Sequence, residues 1–281
     1  MHLLWDIRVV LDLFLGGIGI GAFVLASILY TIDYQKYKIV CKTGFFIAPI
    51  FVAVGLLFLL LEIGRPLHAI TIMLISVNPT SILSWGGFLQ GGFIVLSLFI
   101  AFKILKDQAI SNILLFITMT LAFIVGIYHG ALLSSLGRSV WNSSLPVLFL
   151  STSLVSGFLT TMFIAKIFKQ EEVTNKLVKG SMIVFLLLSF FSIIGWIYGL
   201  KSQDATSKEA LTFMMSEYFI LISISIIFGM ILPIVIYIKS LLAKVHLSDL
   251  ELKFTAISTF FGILALKYVV VYLGQLEYIV K

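Results

Sequence analysis

Long apolar runs separated by short polar stretches recur along the whole chain. Each run has about 20 residues, the length that an α-helix needs to cross the hydrocarbon core of a bilayer. Because the runs are continuously apolar, they differ from the alternating pattern of a membrane β-strand and indicate helices. Eight helices are predicted, and they begin near Asp6, Thr43, Ile82, Ile113, Leu145, Val178, Glu217 and Phe254.

The composition agrees with a chain that lies mostly in lipid. It is 60% hydrophobic and 11% charged, with a mean hydropathy of +1.16, which is outside the range of water-soluble domains. We therefore predict an all-α bundle of eight transmembrane helices in a single integral membrane domain over residues 1–281, which permits a division into two four-helix halves. The first run lacks a basic leader and a small-residue cleavage site, so we expect a spanning helix and no signal peptide.

The basic residues between the predicted helices indicate an orientation. Twelve lie on one side of the membrane, namely Lys36, Lys38, Lys42, Lys103, Lys106, Lys166, Lys169, Lys176, Lys179, Lys239, Lys244 and Lys253. Six lie on the other side, namely Arg8, Arg65, Arg138, Lys201, Lys208 and Lys281. Since cytoplasmic loops are enriched in Lys and Arg, we expect a multi-pass protein of the cytoplasmic (inner) cell membrane with both termini outside. The same bias explains the net charge of +6, and no nucleic-acid partner is expected.

Residues that usually hold metals or haem are scarce. The one cysteine, Cys41, falls in a predicted loop, and of His2, His68, His129 and His246 only His129 lies in a predicted helix. A membrane haem b commonly uses histidines on facing helices, and iron–sulfur clusters use several cysteines. We therefore expect no haem and no metal site in this chain, so that any iron–sulfur cluster belongs to a partner.

A few ionisable side chains are predicted in the outer half of the bilayer or at its outer edge, where such groups are costly and often functional. They are Asp12, Glu62, His129, Glu217 and Lys267. Asp12 stands one turn before the glycines of residues 16–21 and needs a partner or a protonation role. The glycines are interpreted as a close-packing face, and Glu217 as an ordinary interfacial residue.

The other ionisable residues have more than one interpretation. Glu62 either functions in the site or pairs with Arg65 three residues later at a helix end. Lys267 either extends its amine towards the interface or neutralises a buried acid. His129 forms a satisfied polar pair with Tyr128 or belongs to a ligand pocket.

Several motifs occur in a characteristic order. They are LFLGGIGIGAF (13–23), LEIGRP (61–66), NPTSILSWGG (78–87), YHGALLSSLGRSVWNSSLPVLFL (128–150), GMILP (229–233) and KYVVVYLGQ (267–275). Together they resemble the NrfD-like family, the membrane subunits typified by polysulphide reductase. That resemblance implies eight or more helices, a quinone (menaquinone or ubiquinone) bound near the outer face, and docking to a ferredoxin-like iron–sulfur subunit.

The resemblance also implies roles for particular residues. The family's tyrosine that contacts the quinone corresponds to Tyr128, with His129 where threonine is common. The polar residue before the glycines corresponds to Asp12, and the acidic residue that closes the second helix corresponds to Glu62. Asp12 replaces a residue that is usually uncharged or histidine, and Lys267 replaces a frequent arginine.

A quinone site also has physical requirements that these residues can meet. It needs an apolar slot, hydrogen-bonding groups at the carbonyls, and a proton route, because quinol oxidation releases two protons. Tyr128 can donate a hydrogen bond, Asp12 or His129 can exchange protons, and Glu62 can pass protons to the aqueous edge.

We therefore predict a quinone-reactive membrane anchor of an oxidoreductase complex. It would exchange electrons with an iron–sulfur subunit and, through it, with a molybdopterin catalytic subunit. Two alternatives remain. In one, the buried acidic and basic residues form a proton or ion pathway in a redox-driven complex, and in the other the chain is a purely structural anchor.

Overall fold

The structure is a computed structural model that describes residues 5–64, 68, 71, 82–169 and 175–275. In these residues the chain forms nine helices and no strand, and eight of the helices are long and apolar enough to cross a membrane. The eight are α1 (Ile7–Asp33), α2 (Lys38–Glu62), α3 (Ile82–Leu105), α4 (Asn112–Ser134), α5 (Leu145–Ile167), α6 (Lys176–Ser202), α8 (Phe219–Leu242) and α9 (Asp249–Leu273). A short helix, α7 (Ala205–Glu217), lies between α6 and α8. The predicted all-α membrane bundle is confirmed.

Two helices begin about one turn earlier than predicted. Helix α2 begins at Lys38 and not near Thr43, so the prediction that Cys41 lies in a loop is wrong: Cys41 is buried within the helix. Helix α9 begins at Asp249, where Ser248 and Glu251 form a reciprocal capping box that satisfies the first backbone N–H groups.

Helix α8 also differs from the prediction. Glu217 does not open this spanning helix but ends α7 with an exposed side chain, and α8 begins at Phe219. A π-helical turn over Ile227–Ile231 interrupts α8 just before Pro233. Proline has no backbone N–H, so Pro233 cannot donate an α-helical hydrogen bond to the preceding turn. The π-helical turn lies at this interruption of the α-helical hydrogen bonds.

The helices pack as two adjoining rings. Helices α1, α2, α3 and α4 each contact the next, and α4 contacts α1; the second ring consists of α5, α6, α8 and α9. Helix α1 joins the rings, because it also packs against α5 and α9. Gly21 of α1 and Gly157 of α5 bring the two backbones into direct contact, which a larger side chain at either position would prevent. The glycines of α1 therefore form a packing surface, as predicted.

Ion pairs connect helix ends and a connection between helices at one end of the bundle. We call it the lysine end because it carries the twelve lysines grouped above. Lys38 and Lys42 both contact Asp107, at 3.4 and 3.1 Å, and Lys166 contacts Asp249 at 3.1 Å. Hydrogen bonds from Lys42 and Lys38 hold the pKa of the Asp107 carboxyl below its usual value. The first of these clusters links the start of α2 to the α3–α4 connection.

Candidate functional site

A cavity of about 230 Å³ lies at the end opposite the lysine end, where α1, α2 and α4 meet. Its described lining consists of Trp5, Val9, Asp12, Leu13, Leu59, Glu62, Ile63, Leu132 and Leu133. Most of these side chains are apolar, and two are carboxylic acids. The structure thus brings together Asp12 and Glu62, which lie far apart in the sequence.

Asp12 and Lys267 are both buried in the interior of the bundle. The two residues are 2% and 1% exposed, and they interact electrostatically. The Lys267 amine donates a hydrogen bond of 2.6 Å to the carbonyl of Leu13 and lies 5.1 Å from the centre of the Phe149 ring. Lys267 therefore does not extend its amine to the membrane surface but holds it inside the bundle. The Oδ1 atom of Asp12 accepts no hydrogen bond within the described ranges.

Glycines make room for this charged pair. A Cβ atom on Gly17 would lie 2.9 Å from the Lys267 amine and 2.5 Å from the Ser153 hydroxyl, both shorter than real Cβ contacts. On the facing helix, a Cβ atom on Gly55 would lie 3.1 Å from Oδ1 of Asp12. The absence of a side chain on Gly17 therefore lets the lysine reach the interior of the bundle.

Glu62 belongs to an ionic network at the aqueous edge of the cavity. Arg8 lies 2.7 Å from Glu62 and 2.7 Å from Asp6, and it donates a hydrogen bond to the carbonyl of Leu61. The hydrogen bond from Arg8 holds the pKa of Asp6 below its usual value. Glu62 thus has a partner at the start of α1, whereas Arg65, its predicted partner, lies outside the described residues.

Tyr128 and His129 are buried beside this cavity but face α3 and α1. The Tyr128 hydroxyl packs against Gly86 of α3, so closely that a Cβ atom on Gly86 would overlap it. The Nε2 atom of His129 lies 3.1 Å from the side-chain nitrogen of Gln90, and the imidazole ring packs on Gly16. Neither aromatic residue is among the lining residues of the 230 Å³ cavity.

Sequence reasoning missed Gln90 and Gly86. Gln90 is a buried amide in the apolar interior of α3 and is 2% exposed. Its position within a predicted spanning helix could have identified it as a candidate site residue, because an uncharged polar side chain in lipid also needs a hydrogen-bond partner.

We expect Gly86→Ala to lower stability by about 1 to 3 kcal/mol, since the added methyl group must displace the Tyr128 ring from a packed interface. The midpoint of thermal unfolding of the full chain in detergent measures this change. Gly91→Ala is the matched control, because it lies on the same helix with no atom within 4 Å of the added Cβ. Equal midpoints for the two variants would contradict the Tyr128–Gly86 contact.

Within the described part of the chain, no three His, Cys, Asp or Glu side chains come together as a metal site.

The sequence matches a known protein family over almost its whole length. The family model described as polysulphide reductase, NrfD, matches residues 1–278. The chain belongs to the NrfD polysulphide reductase family.

Individual members of the NrfD family are related at low sequence identity. The chain is 25% identical over 306 residues to a polysulfide reductase chain from Wolinella succinogenes, covering 96% of this chain and 94% of that one. It is 23% identical over 237 residues to the Hdr-like menaquinol oxidoreductase integral membrane subunit of Archaeoglobus fulgidus, and the match covers 79% of this chain but only 59% of that subunit. A shorter match of 81 residues, at 30% identity, joins it to a selenate reductase subunit from Mesobacillus selenatarsenatis, over 29% of this chain and 19% of that one.

Proposed function

We propose that this NrfD-family chain is the quinone-reactive membrane subunit of a respiratory oxidoreductase complex. The observation that carries the proposal is an apolar cavity that contains two carboxylic acids, with Tyr128 and His129 buried one helical turn from its lining; their Oη and Nδ1 atoms have no hydrogen-bond partner among the described residues. The name of the Archaeoglobus relative, a menaquinol oxidoreductase subunit, supports a quinone as the ligand.

The residues fit the chemistry of a quinone ring. Oη of Tyr128, Nδ1 of His129 and Oε1 of Gln90 are all buried, and none has a hydrogen-bond partner within the ranges that the structure describes. Buried polar groups are normally hydrogen-bonded, so these atoms suit a ligand that brings polar oxygens on an apolar ring. We propose that Tyr128 and His129 hold one quinone oxygen, while apolar lining residues such as Val9 and Leu132 contact the ring or tail.

The carboxylic acids supply a proton route. A bound quinol releases two electrons and two protons when it is oxidised. Asp12 accepts a proton at Oδ1, which has no hydrogen bond within the described residues, and its electrostatic interaction with the Lys267 amine stabilises the carboxylate between transfers. Glu62 lines the same cavity and pairs with Arg8, whose side chain is 39% exposed, so Glu62 can pass the proton to water.

The electrons require a partner subunit. This chain has one cysteine, too few for a cysteine-ligated iron–sulfur cluster of its own. We propose a ferredoxin-like iron–sulfur subunit at the cavity end of the bundle, with a molybdopterin catalytic subunit beyond it. The relatives named as parts of a polysulfide reductase and a selenate reductase support membership of such a multi-subunit complex.

Proton translocation is a second candidate function. The observation that favours it is the buried Asp12–Lys267 pair where α1 meets α9, at the junction of the two helix rings. Acidification measured on both sides of proteoliposomes during quinol oxidation separates the two functions. Release of two protons per quinol on one side supports the first function alone, and additional transfer across the bilayer supports the second.

Removal of the Tyr128 hydroxyl tests the proposed quinone contact. We expect Tyr128→Phe to weaken quinone binding by about 1 kcal/mol, as the loss of one hydrogen bond does, because ring volume is retained. Quinone titration of membranes that contain the assembled complex measures the change. Tyr198→Phe is the control, since Tyr198 is 69% exposed on α6. Unchanged affinity in Tyr128→Phe would place the quinone elsewhere.

The proposed orientation follows from the lysine end. In a Cys41→Ser background, we expect Lys208→Cys to react with a membrane-impermeant thiol reagent in intact cells, and Lys244→Cys to react only after permeabilisation. Both lysines are exposed, one on the cavity side of the bundle and the other at the lysine end. The reverse labelling pattern would move the proposed partner to the cytoplasmic face.

A further inference from the structure

Gln90 connects α3 to the imidazole of His129 inside the membrane. Its side-chain nitrogen lies 3.1 Å from Nε2 of His129, and the two residues are 2% and 0% exposed. They lie 39 positions apart in the sequence. Because both side chains are fully buried, water does not compete for this hydrogen bond. Which group donates in it determines which nitrogen of the imidazole carries the N–H.

The imidazole ring of His129 also packs on the backbone of α1. A Cβ atom on Gly16 of α1 would lie 2.8 Å from Cε1 of His129 and 3.3 Å from Nε2. The ring is therefore close to both α1 and α3, and the lack of a side chain on Gly16 provides the space that it occupies.

The hydrogen bond determines which ring nitrogen carries the proton. The amide nitrogen of Gln90 only donates, so Nε2 of His129 must present its lone pair. A neutral imidazole has one N–H, which is then on Nδ1. The opposite amide orientation would leave both N–H groups of Gln90 buried without an acceptor. The observed orientation instead pairs one of these N–H groups with Nε2 and leaves Oε1 of Gln90 without a partner among the described residues, and an unpaired carbonyl oxygen costs less than an unpaired N–H.

We infer that Gln90 is a positioning residue that fixes His129 in the Nδ1–H tautomer, so that a buried N–H is directed at an oxygen of the bound quinone. The Nδ1 atom has no partner among the residues that the structure describes, as expected for a group reserved for a ligand. The identity of the ligand rests on the proposed function, whereas the tautomer does not. In this arrangement Gln90 orients the imidazole of His129, and His129 donates a hydrogen bond to the quinone ring. Asp12 takes up the proton.

The tautomer can be observed directly by solid-state nitrogen NMR of the full chain in lipid bilayers, with ¹⁵N-labelled histidine. Replacing His2, His68 and His246 by glutamine leaves His129 as the only histidine signal. We expect Nδ1 to give a protonated-nitrogen signal and Nε2 an unprotonated one, without any quinone. An Nε2–H signal in this sample would overturn the inference.

Two variants of Gln90 test its positioning role. Gln90→Met keeps the side-chain length without the amide donor, and Gln90→Leu replaces the amide with an apolar side chain, so in each variant both tautomers should appear. Gln108→Leu, an exposed position in the α3–α4 connection, should leave the spectrum unchanged. If Gln90→Met retains the Nδ1–H tautomer alone, Gln90 does not position His129 and the inference fails.

Added menaquinone tests the ligand contact. We expect the Nδ1 signal to shift on binding, and Gln90→Met to bind menaquinone about fivefold more weakly, as the loss of one hydrogen bond implies. Binding that leaves the Nδ1 signal unmoved would overturn the contact to His129 while sparing the proposed function. No menaquinone binding by the wild-type chain would instead contradict the proposed function, while the spectrum without quinone still decides the tautomer.

Discussion

Replacement of Lys267 by methionine is expected to destabilise the folded chain by about 3 to 5 kcal/mol, the usual cost of leaving a buried charge without a compensating one. Methionine keeps most of the side-chain length but removes the charge that faces Asp12 and the donor to the Leu13 carbonyl. Asp12 would then remain as an uncompensated buried acid. The midpoint of thermal unfolding in detergent, together with the yield of monodisperse protein, measures the effect.

Two further variants show whether the charge pair is responsible. Asp12→Asn combined with Lys267→Met removes both charges and should recover more than half of the lost stability, because neither group then stays buried alone. Lys253→Met is the matched control, since Lys253 is exposed on the same helix α9. If Lys267→Met unfolds at the same temperature as Lys253→Met, the buried pair does not stabilise the bundle.

Asp12→Asn alone is expected to slow quinol-dependent electron transfer by about 100-fold, the lower range for loss of a positioned acid or base. The amide keeps the volume of the side chain but cannot accept a proton at Oδ1. Quinone affinity should change much less than turnover, because the proposed binding contacts come from Tyr128 and His129. Turnover is measured in membranes and divided by the amount of assembled complex.

Variants at the edge of the cavity and away from it complete this test. Glu62→Gln should slow turnover by a smaller factor, since Glu62 lies beside exposed Arg8, where water offers another route for protons. Asp33→Asn, at the other end of α1, should behave as wild type, because Asp33 is exposed near the lysine end. Wild-type turnover in assembled Asp12→Asn would exclude Asp12 from the proton route.

The spanning helices were predictable because hydrophobic length is a local property of the sequence. The start of α2 was misplaced for an equally local reason: Lys38 and Lys42 made the segment look like a loop. In the fold their long side chains reach Asp107 in another connection, so the helix continues around buried Cys41. Local composition gives no information about such a distant partner.

The candidate site shows the same limit more strongly. Asp12, Glu62, Tyr128 and His129 were identified as residue types that are costly in lipid or that match a family motif. The sequence left open whether Lys267 neutralises a buried acid, and its contacts were not predictable, because Lys267 bonds to the carbonyl of Leu13, 254 positions away, and Gln90 meets His129 through helix packing.

The separation of Asp12 and Lys267 along the chain also has a consequence for biosynthesis. Ribosomes make Asp12 with α1, but Lys267 emerges only with α9, after the other described spanning helices. Until then α1, in which 89% of the most apolar stretch is finally buried, lacks both Lys267 and its packing neighbour α9. Helix α1 can therefore complete its packing in the bundle only after α9 has entered the bilayer.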